Sequence, residues 1–555
     1  MDISYIEFNL PIYYLTNKRI LNENIKNDIE INNTNNSIYY KIFQPENKYA
    51  KIISEMWYYY YTTDFNFIKD SQYLIKNFKN ITYINNIEKI CQIKQELDNE
   101  TGFYEKYKYL DSNYFKFLNN NPYFLHSLTL YNLTGPILNL LIPIIMIIIP
   151  FFIIKLSRKD ITLELYIDSL KTVIKHHFIG KSLLEYNNVS LERKIFILFT
   201  TIMYFINIYQ NFNSCFVYYK NLYKIKNYLQ DIKVYIYNSI NLIDNLHKYC
   251  GKSYNKFKNQ NIYIKNQMIL HYRKLELLEL ENFNIKDIGN VGNILYCFYQ
   301  VYENKLYKNC IDYSLKLNGF INNIEKLNNL YKNKFINSFK VTNKNSEFNE
   351  LYFAPLINAD PIKNNIKLEN NIIITGPNAS GKTTILKSIL FNIIFSQQTG
   401  MGFYKKAKIN LYDYIHSYIN IPDTSNRDSL FQAEARRCKN ILDSIKLNNN
   451  VRHFCVFDEL YSGTNPNEAI SSGYGFLKFL NKDKNIDFIL TTHYLTLCNI
   501  LENEGIENKK MLVDKNNLYK ITEGISNING GIKILENLNY DKEIIDYAKN
   551  YLLKL

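Results

Sequence analysis

The stretch "NIIITGPNASGKTTILKSIL", Asn371 to Leu390, decides the fold of the C-terminal part of this chain. Its apolar, β-branched run Ile372 to Thr375 reads as a buried strand, and the apolar residues after Thr384 read as a helix. Between them, Gly376-Pro377-Asn378-Ala379-Ser380-Gly381-Lys382-Thr383 has the spacing of a phosphate-binding Walker A loop in strand, loop, helix context. Gly376 and Gly381 let the backbone curl so that its N–H groups point inward at phosphate oxygens, and the following helix offers its positive end to the same anion. Lys382 supplies a point charge for the β and γ phosphates. The Thr383 hydroxyl, with Thr384 beside it, is placed to hold Mg2+, so ATP and Mg2+ are the expected ligands.

Two further strands carry chemistry at their C-terminal tips. "HFCVFDEL", from His453, ends in Asp458 and Glu459, the pattern of a Walker B site. Asp458 is expected on the hydrated Mg2+, and Glu459 as the group that orients and deprotonates the attacking water. "FILTTH" ends in His493, placed to sense the γ phosphate. Taken singly, an acidic pair after a strand is often a solvated turn, and a lone histidine is often structural. The three elements in this order point to nucleotide binding and hydrolysis.

The 555 residues exceed the roughly 250 at which single cores stop growing, so at least two domains are expected. A formal charge of +14 attracts polyanions, nucleic acid or an anionic membrane, without choosing between them. Fifty tyrosines, one tryptophan and runs of Asn, Ile and Lys are a compositional bias, so much of the asparagine content carries no chemistry. The eight cysteines are scattered, with no Cys-x-x-Cys pair, which reads as reduced thiols without disulfides or structural zinc. The N-terminal stretch lacks the uninterrupted apolar core of a cleaved secretory signal.

A different signal lies at "GPILNLLIPIIMIIIPFFIIKLSRKD", from Gly135. From Ile137 to Ile154 the only polar side chain is Asn139, an 18-residue run at the lower edge of the about 17 to 25 residues that span a bilayer. Pro136, Pro143 and Pro150 punctuate it, and prolines are commoner in membrane helices than in soluble ones. The alternative is a buried core helix. A second apolar patch, "KIFILFTTIMYFINIY" from Lys194, reads as a returning span or an interfacial helix. Lys155, Arg158 and Lys159 follow the first run and are expected to face the cytosol. The loop up to Lys194 has eight Lys or Arg against five Asp or Glu, which favours a single span or a shallow re-entrant segment over a hairpin.

From Leu222, the positions Leu222, Ile225, Leu229, Ile232, Ile236, Ile243 and Leu246 follow three-four spacing, a long helix with a coiled-coil-like seam. Phe320, Ile324, Leu327 and Tyr331 share one face of a later helix. The expected organisation is residues 1–55 unassigned, 56–134 a helical core part, 135–215 a hydrophobic transmembrane or re-entrant region, 216–345 long lever helices, and 346–555 the nucleotide and dimerisation domain.

At this point the sequence resembles the MutS family of DNA mismatch repair ATPases over about its last 200 residues. "TGPNASGKTT" looks like the family's Walker A, "DSLFQAE" like its Ser-x-Phe-x-x-Glu signature, and "DELYSGTNPNEA" like its Asp-Glu-x-x-x-Gly-Thr segment. "TTHY" matches its histidine switch, and "YKITEGISNINGGIKILENLNYDKEIIDYAKNYL" is similar to its closing dimerisation segment. The resemblance implies an ABC-type α/β P-loop ATPase domain behind a mostly α-helical lever and core region. It also implies a second MutS-like subunit, a homodimer, in which Ser429 acts in trans while Lys382, Thr383, Asp458, Glu459 and His493 act in cis. Read from the residues alone, Ser429 is the N-cap of the helix that follows it. The family's Gly-Arg-Gly-Thr is here Tyr461-Ser462-Gly463-Thr464, and its His-Pro is Ala354-Pro355, which marks a divergent branch.

The resemblance makes DNA, mismatched or branched, the provisional ligand. "TGFYEKY", with Phe103 and Glu105, matches the family's Phe-x-Glu mismatch wedge, but it lacks the preceding strand-rich domain and otherwise reads as an aromatic helix or turn. The competing expectation is a membrane-anchored mechanochemical ATPase whose distal lever ends carry the apolar run. Its nucleotide domain would face the cytosol; without that anchor the protein would be cytoplasmic or nuclear.

Overall fold

The computed structural model describes residues 6–31, 37–81, 87–157, 162–176, 190–278, 280, 289–378, 380–419, 421, 429–512, 519–526, 532, 535–536 and 538–552. Ala379, Arg158 and Lys159 lie outside the described residues, as do parts of the closing segment. The chain divides into two compact units. One gathers Met1–Ile6, Tyr83–Ile240 and Lys265–Ile311; the other gathers Glu7–Thr82, Asn241–Ile264 and Asp312–Leu555.

The first unit draws on helices α1 (Ile87–Asp98), α2 (Pro122–Leu156), α3 (Leu163–His176), α4 (Leu191–Tyr249), α5 (Asn255–Glu276), α6 (Val291–Glu303) and α7 (Lys305–Lys332), of which the end of α4, the start of α5 and most of α7 belong to the second unit. Asn121 starts α2 by accepting from the N–H groups of Tyr123 and Phe124, and Pro122 occupies the first turn, where its missing donor costs nothing. The helix continues through Pro136, Pro143 and Pro150. Gly292 of α6 lies so close to α2 that an added Cβ would sit 2.1 Å from the Pro122 carbonyl oxygen, so glycine sets this crossing. The expected seam on α4 is buried throughout, with Leu222, Ile225, Leu229, Ile232, Ile236, Ile243 and Leu246 at most 3% exposed.

Phe103 belongs to this core. It is 1% exposed, stacks on Tyr302 at 3.5 Å between ring centroids, and lies against Tyr109 and Phe298. A ring held in an aromatic cluster is not free to stack on a base, so the aromatic reading of "TGFYEKY" describes its packing and the wedge reading does not.

The second unit holds a six-stranded sheet of β1 (Ile372–Thr375), β2 (Tyr414–Tyr418), β3 (His453–Asp458), β4 (Ile486–Thr491), β5 (Glu507–Leu512) and β6 (Lys520–Glu523). Its order is β2-β3-β4-β1-β5-β6, parallel except for the antiparallel pair β5 and β6. Ile372, Ile373 and Ile374 have no exposed surface, which is why β1 reads as an unbroken apolar run rather than an alternating one. Around the sheet run α8 (Lys382–Thr399), α9 (Leu430–Leu447), α10 (Pro466–Asn481), α11 (Leu495–Glu502) and α12 (Lys542–Leu552). A smaller four-stranded sheet joins Lys340–Val341, Lys406–Ile409, Glu347–Leu351 and Asn364–Lys367, in that order.

Residues 7–82, split by the sequence between an unassigned segment and a helical core part, cluster with this α/β unit. Polar side chains of α8 tie them down. Gln397 donates to the carbonyls of Thr62 and Tyr412, and Gln398 to those of Trp57 and Tyr60. Asp28, also in that segment, accepts from Ser417 of β2 at 2.6 Å and from Arg437 of α9 at 3.1 Å. Buried amides and carboxylates need such partners, and these are far away in sequence.

Candidate nucleotide site

The parallel strands end on one edge of the sheet, and the turns leaving β1, β3 and β4 bring the singled-out side chains together there. Asn378, Ser380, Gly381, Lys382, Thr383, Thr384, Asp458 and Glu459 line one cavity of about 740 Å3. This is within the range of roughly 300 to 1,000 Å3 typical of small-molecule sites. Gly381 has φ of 87°, a left-handed conformation that other residues adopt only at a cost, and it starts α8. Gly376 is required for a different reason: a Cβ there would lie 2.7 Å from the Ser380 hydroxyl and 3.0 Å from the Met511 side chain.

Lys382 is 6% exposed, and its ammonium donates to the carbonyls of Gly376 at 2.8 Å and Pro377 at 3.2 Å. Burial pushes its pKa down, while Glu459 and Asp458 act in the opposite direction. A desolvated cation of this kind gains from any anion that enters the cavity. The Ser380 hydroxyl is buried and has no hydrogen-bond partner, so a phosphate oxygen would satisfy it.

Thr383 donates its hydroxyl hydrogen to Asp458 at 2.7 Å, and Thr491 of β4 donates to the other oxygen of the same carboxylate. Glu459 stands 3.9 Å from the Lys382 ammonium and 3.9 Å from Nδ1 of His493. His493 beside it, and then the charge of Lys382, hold the Glu459 carboxyl below the ordinary carboxylate range. Glu459 is therefore an ionised acceptor at neutral pH.

The backbone after β3 is strained: Glu459 has φ of 50° and Tyr461 of 60°. Glu434 of α9, 2% exposed, holds this turn. Its carboxylate accepts from the Ser462 N–H at 3.1 Å, the Ser462 hydroxyl at 2.9 Å and the Gly463 N–H at 3.2 Å. A Cβ on Gly463 would come within 2.8 Å of the Phe431 nitrogen, so glycine lets the turn pack against the start of α9. Ser429 caps that helix in a capping box with Gln432 and does not line the cavity formed by Lys382 and Asp458.

Sequence reasoning missed the apolar wall. Tyr352, Phe353, Leu356, Pro361 and Tyr519 complete the cavity beside Asp360. The available signals were indirect: Ala354-Pro355 stands where the resemblance expects His-Pro, and Tyr519 opens the quoted closing segment. The role of Glu434 was hidden inside a signature that drew attention to its serine.

The second unit thus ends in an α/β domain built on a mostly parallel sheet, with a glycine loop, a lysine and two carboxylates at one edge. Residues 372–555 match the MutS domain V family, and this region is a divergent MutS domain V. The DNA mismatch repair protein MutS of Persephonella marina is 30% identical over 203 residues, covering 35% of this chain and 23% of that protein. The protein of the same name from Prochlorococcus marinus strain AS9601 is 31% identical over 205 residues, 35% of this chain and 22% of its own. Endonuclease MutS2 of Alkaliphilus metalliredigens is 28% identical over 211 residues, 36% of this chain and 26% of its own. The matched region spans about a quarter of the length of these relatives.

Proposed function

We propose that this chain is a Mg2+-dependent P-loop ATPase that works as a dimer of MutS-like subunits, with DNA as provisional ligand. The observation that carries the reading is the convergence of Lys382, Thr383, Asp458 and Glu459 on one cavity. The loop N–H groups, the Ser380 hydroxyl and Lys382 would bind the phosphates, and the apolar wall would take the base. Thr383 and Asp458 are the pair that would hold Mg2+, which when bound neutralises charge on the phosphates. Glu459, ionised and placed at the end of β3, accepts the proton of the attacking water, and His493 orients that carboxylate. Ser429 lies off the cis cavity, which fits a role at the nucleotide of a second subunit.

DNA enters through the relatives, which are named as DNA mismatch repair proteins and an endonuclease. A second reading has its own observation. Within Lys194–Tyr249 lies an apolar stretch long enough to cross a membrane that is almost wholly exposed, unlike the core helix of a soluble protein. It favours a membrane-anchored ATPase that has lost mismatch recognition, with the 137–154 run as its anchor. The test is ATP turnover with and without duplex, mismatched and branched DNA, on protein first assayed for flotation with liposomes. Stimulation by DNA, weakening steeply with salt, supports the first reading. DNA-independent turnover in membrane-bound protein establishes the second.

A further inference from the structure

The two apolar stretches of the first unit are partners. Thr129 of α2 shares a hydrogen bond of 3.0 Å with Tyr218 of α4, and Cys215 of α4 donates to the Asn132 carbonyl at 3.5 Å. Three residues forward on α2 match three residues back on α4, so the helices run antiparallel. Continued at the common rise of about 1.5 Å per residue, this register sets Pro150 opposite Ile197 and Leu141 opposite Ile206. Pro150 and Ile197 are both buried, as that pairing requires.

Neither helix carries a charge in this zone. No Asp, Glu, Lys or Arg occurs from Phe117 to Ile154 or from Ile195 to Tyr219, 25 residues of α4 facing their counterparts on α2. That is a length of about 38 Å against the roughly 30 Å of a bilayer core. Much of the exposed surface of α4 here is apolar, with Phe196, Leu198, Phe199, Ile202, Phe205 and Tyr209 each at least half exposed, and the exposed polar residues Asn207, Gln210, Asn213 and Ser214 are all uncharged. An uncharged helix with this much exposed apolar side chain belongs in a protein core or in lipid, and among the described residues no core covers this one. Lysines border both ends of the pair, Lys155 and Lys194 at one and Lys220 at the other, placed for anionic headgroups. The basic excess after the first run therefore no longer argues against a returning helix.

We propose that α2 and α4 enter the bilayer together as one antiparallel hairpin, with lipid covering both. This rests on the membrane reading above and changes its anchor from a single run to a pair. Helix α3 packs against α2 and exposes Glu164, Asp168, Lys171 and Lys175, a charged face suited to the headgroup level.

The experiment is flotation of the full chain with phosphatidylcholine vesicles, with and without phosphatidylglycerol, followed by alkaline carbonate extraction. Leu141→Lys and Ile206→Lys each place a charge at mid-hairpin on a partly exposed side chain, and Tyr237→Lys is an exposed control outside the zone. The hairpin predicts carbonate-resistant flotation that falls by on the order of tenfold in either mid-hairpin variant and not in the control, with ATP turnover retained. Loss in Leu141→Lys but not in Ile206→Lys overturns the hairpin and leaves a single-run anchor. Failure of the unaltered chain to float removes the membrane reading itself. If it instead self-associates without lipid, in a manner that Ile206→Lys abolishes, a second copy covers the helices and the proposal is wrong.

Discussion

Replacing Glu434 by alanine tests whether the turn after β3 is what places Glu459. The substitution removes the acceptor of three hydrogen bonds, two of them from the backbone N–H groups of Ser462 and Gly463. The Ser462 hydroxyl can rotate to another partner, but each stranded N–H costs about 1–3 kcal/mol if it stays buried, or about 2–6 kcal/mol for the two. The same turn holds Glu459 and Tyr461 in left-handed conformations costing about 1–3 kcal/mol each, so loss of the carboxylate removes the restraint that opposes this strain. The cheapest response is local: the turn opens, the amides reach water, and Glu459 leaves its position. Single-turnover hydrolysis should then fall by at least about tenfold, the effect of roughly 1.4 kcal/mol at the transition state. Nucleotide affinity should change little, because Lys382 and Thr383 sit on α8. Hydrogen exchange of residues 460–464 should accelerate in parallel. Glu434→Gln, which keeps one acceptor oxygen, should fall between. Accelerated exchange with unchanged turnover would refute the positioning argument, and unchanged exchange would refute the claim that Glu434 holds the turn.

Three further outcomes are expected. Glu459→Gln should bind ATP with near-normal affinity and accumulate as a closed dimer without turnover, measured by single-turnover hydrolysis and sedimentation. Undiminished hydrolysis would take Glu459 out of the mechanism. Ser429→Ala mixed with Lys382→Ala should recover turnover that each variant lacks alone, since one composite site is then intact; absence of recovery in mixed dimers means Ser429 does not act in trans. The pair His416 and His453 should make the fold acid-sensitive. His416 sits 3.1 Å from His453, and burial first, with His453 second, lowers its pKa to about 3. The unfolded chain then binds the extra proton between its ordinary pKa of about 6.5 and the folded value, so stability falls as pH drops through that window. Urea unfolding should show a loss of about 2 kcal/mol at pH 5 relative to neutral pH from this residue, and His416→Asn should lack that component.

Much of the candidate nucleotide site was legible because its pattern is local. The loop from Gly376 to Thr383 needs glycine, lysine and threonine at set intervals along one strand-loop-helix passage, and acidic residues at a strand tip announce themselves in eight residues of sequence. The seam from Leu222 to Leu246 was legible for a similar reason, since a helix repeats its buried face every three or four residues. Ser429 was half legible: its capping role follows from its neighbours, whereas any role at a second subunit depends on contacts outside the chain. The apolar wall of Tyr352, Phe353 and Tyr519 could not be read, because aromatic residues occur throughout this chain and nothing local distinguishes those that face a cavity.

What the sequence determined by itself is therefore the set of short-range structures: the glycine loop with its lysine, the carboxylate tips, the helical periodicities and the absence of charge in two apolar stretches. Tertiary structure decided the long-range pairings. It brought β1, β3 and β4 side by side so that Lys382, Asp458 and Glu459 share a cavity, joined residues 7–82 to the α/β unit through buried amides, and enclosed Phe103 among aromatic rings. It also paired Thr129 with Tyr218, which turns two separate apolar runs into one hairpin. Local order follows from backbone geometry over a few residues, while these contacts depend on which surfaces exclude water together, and that is set only when distant segments meet.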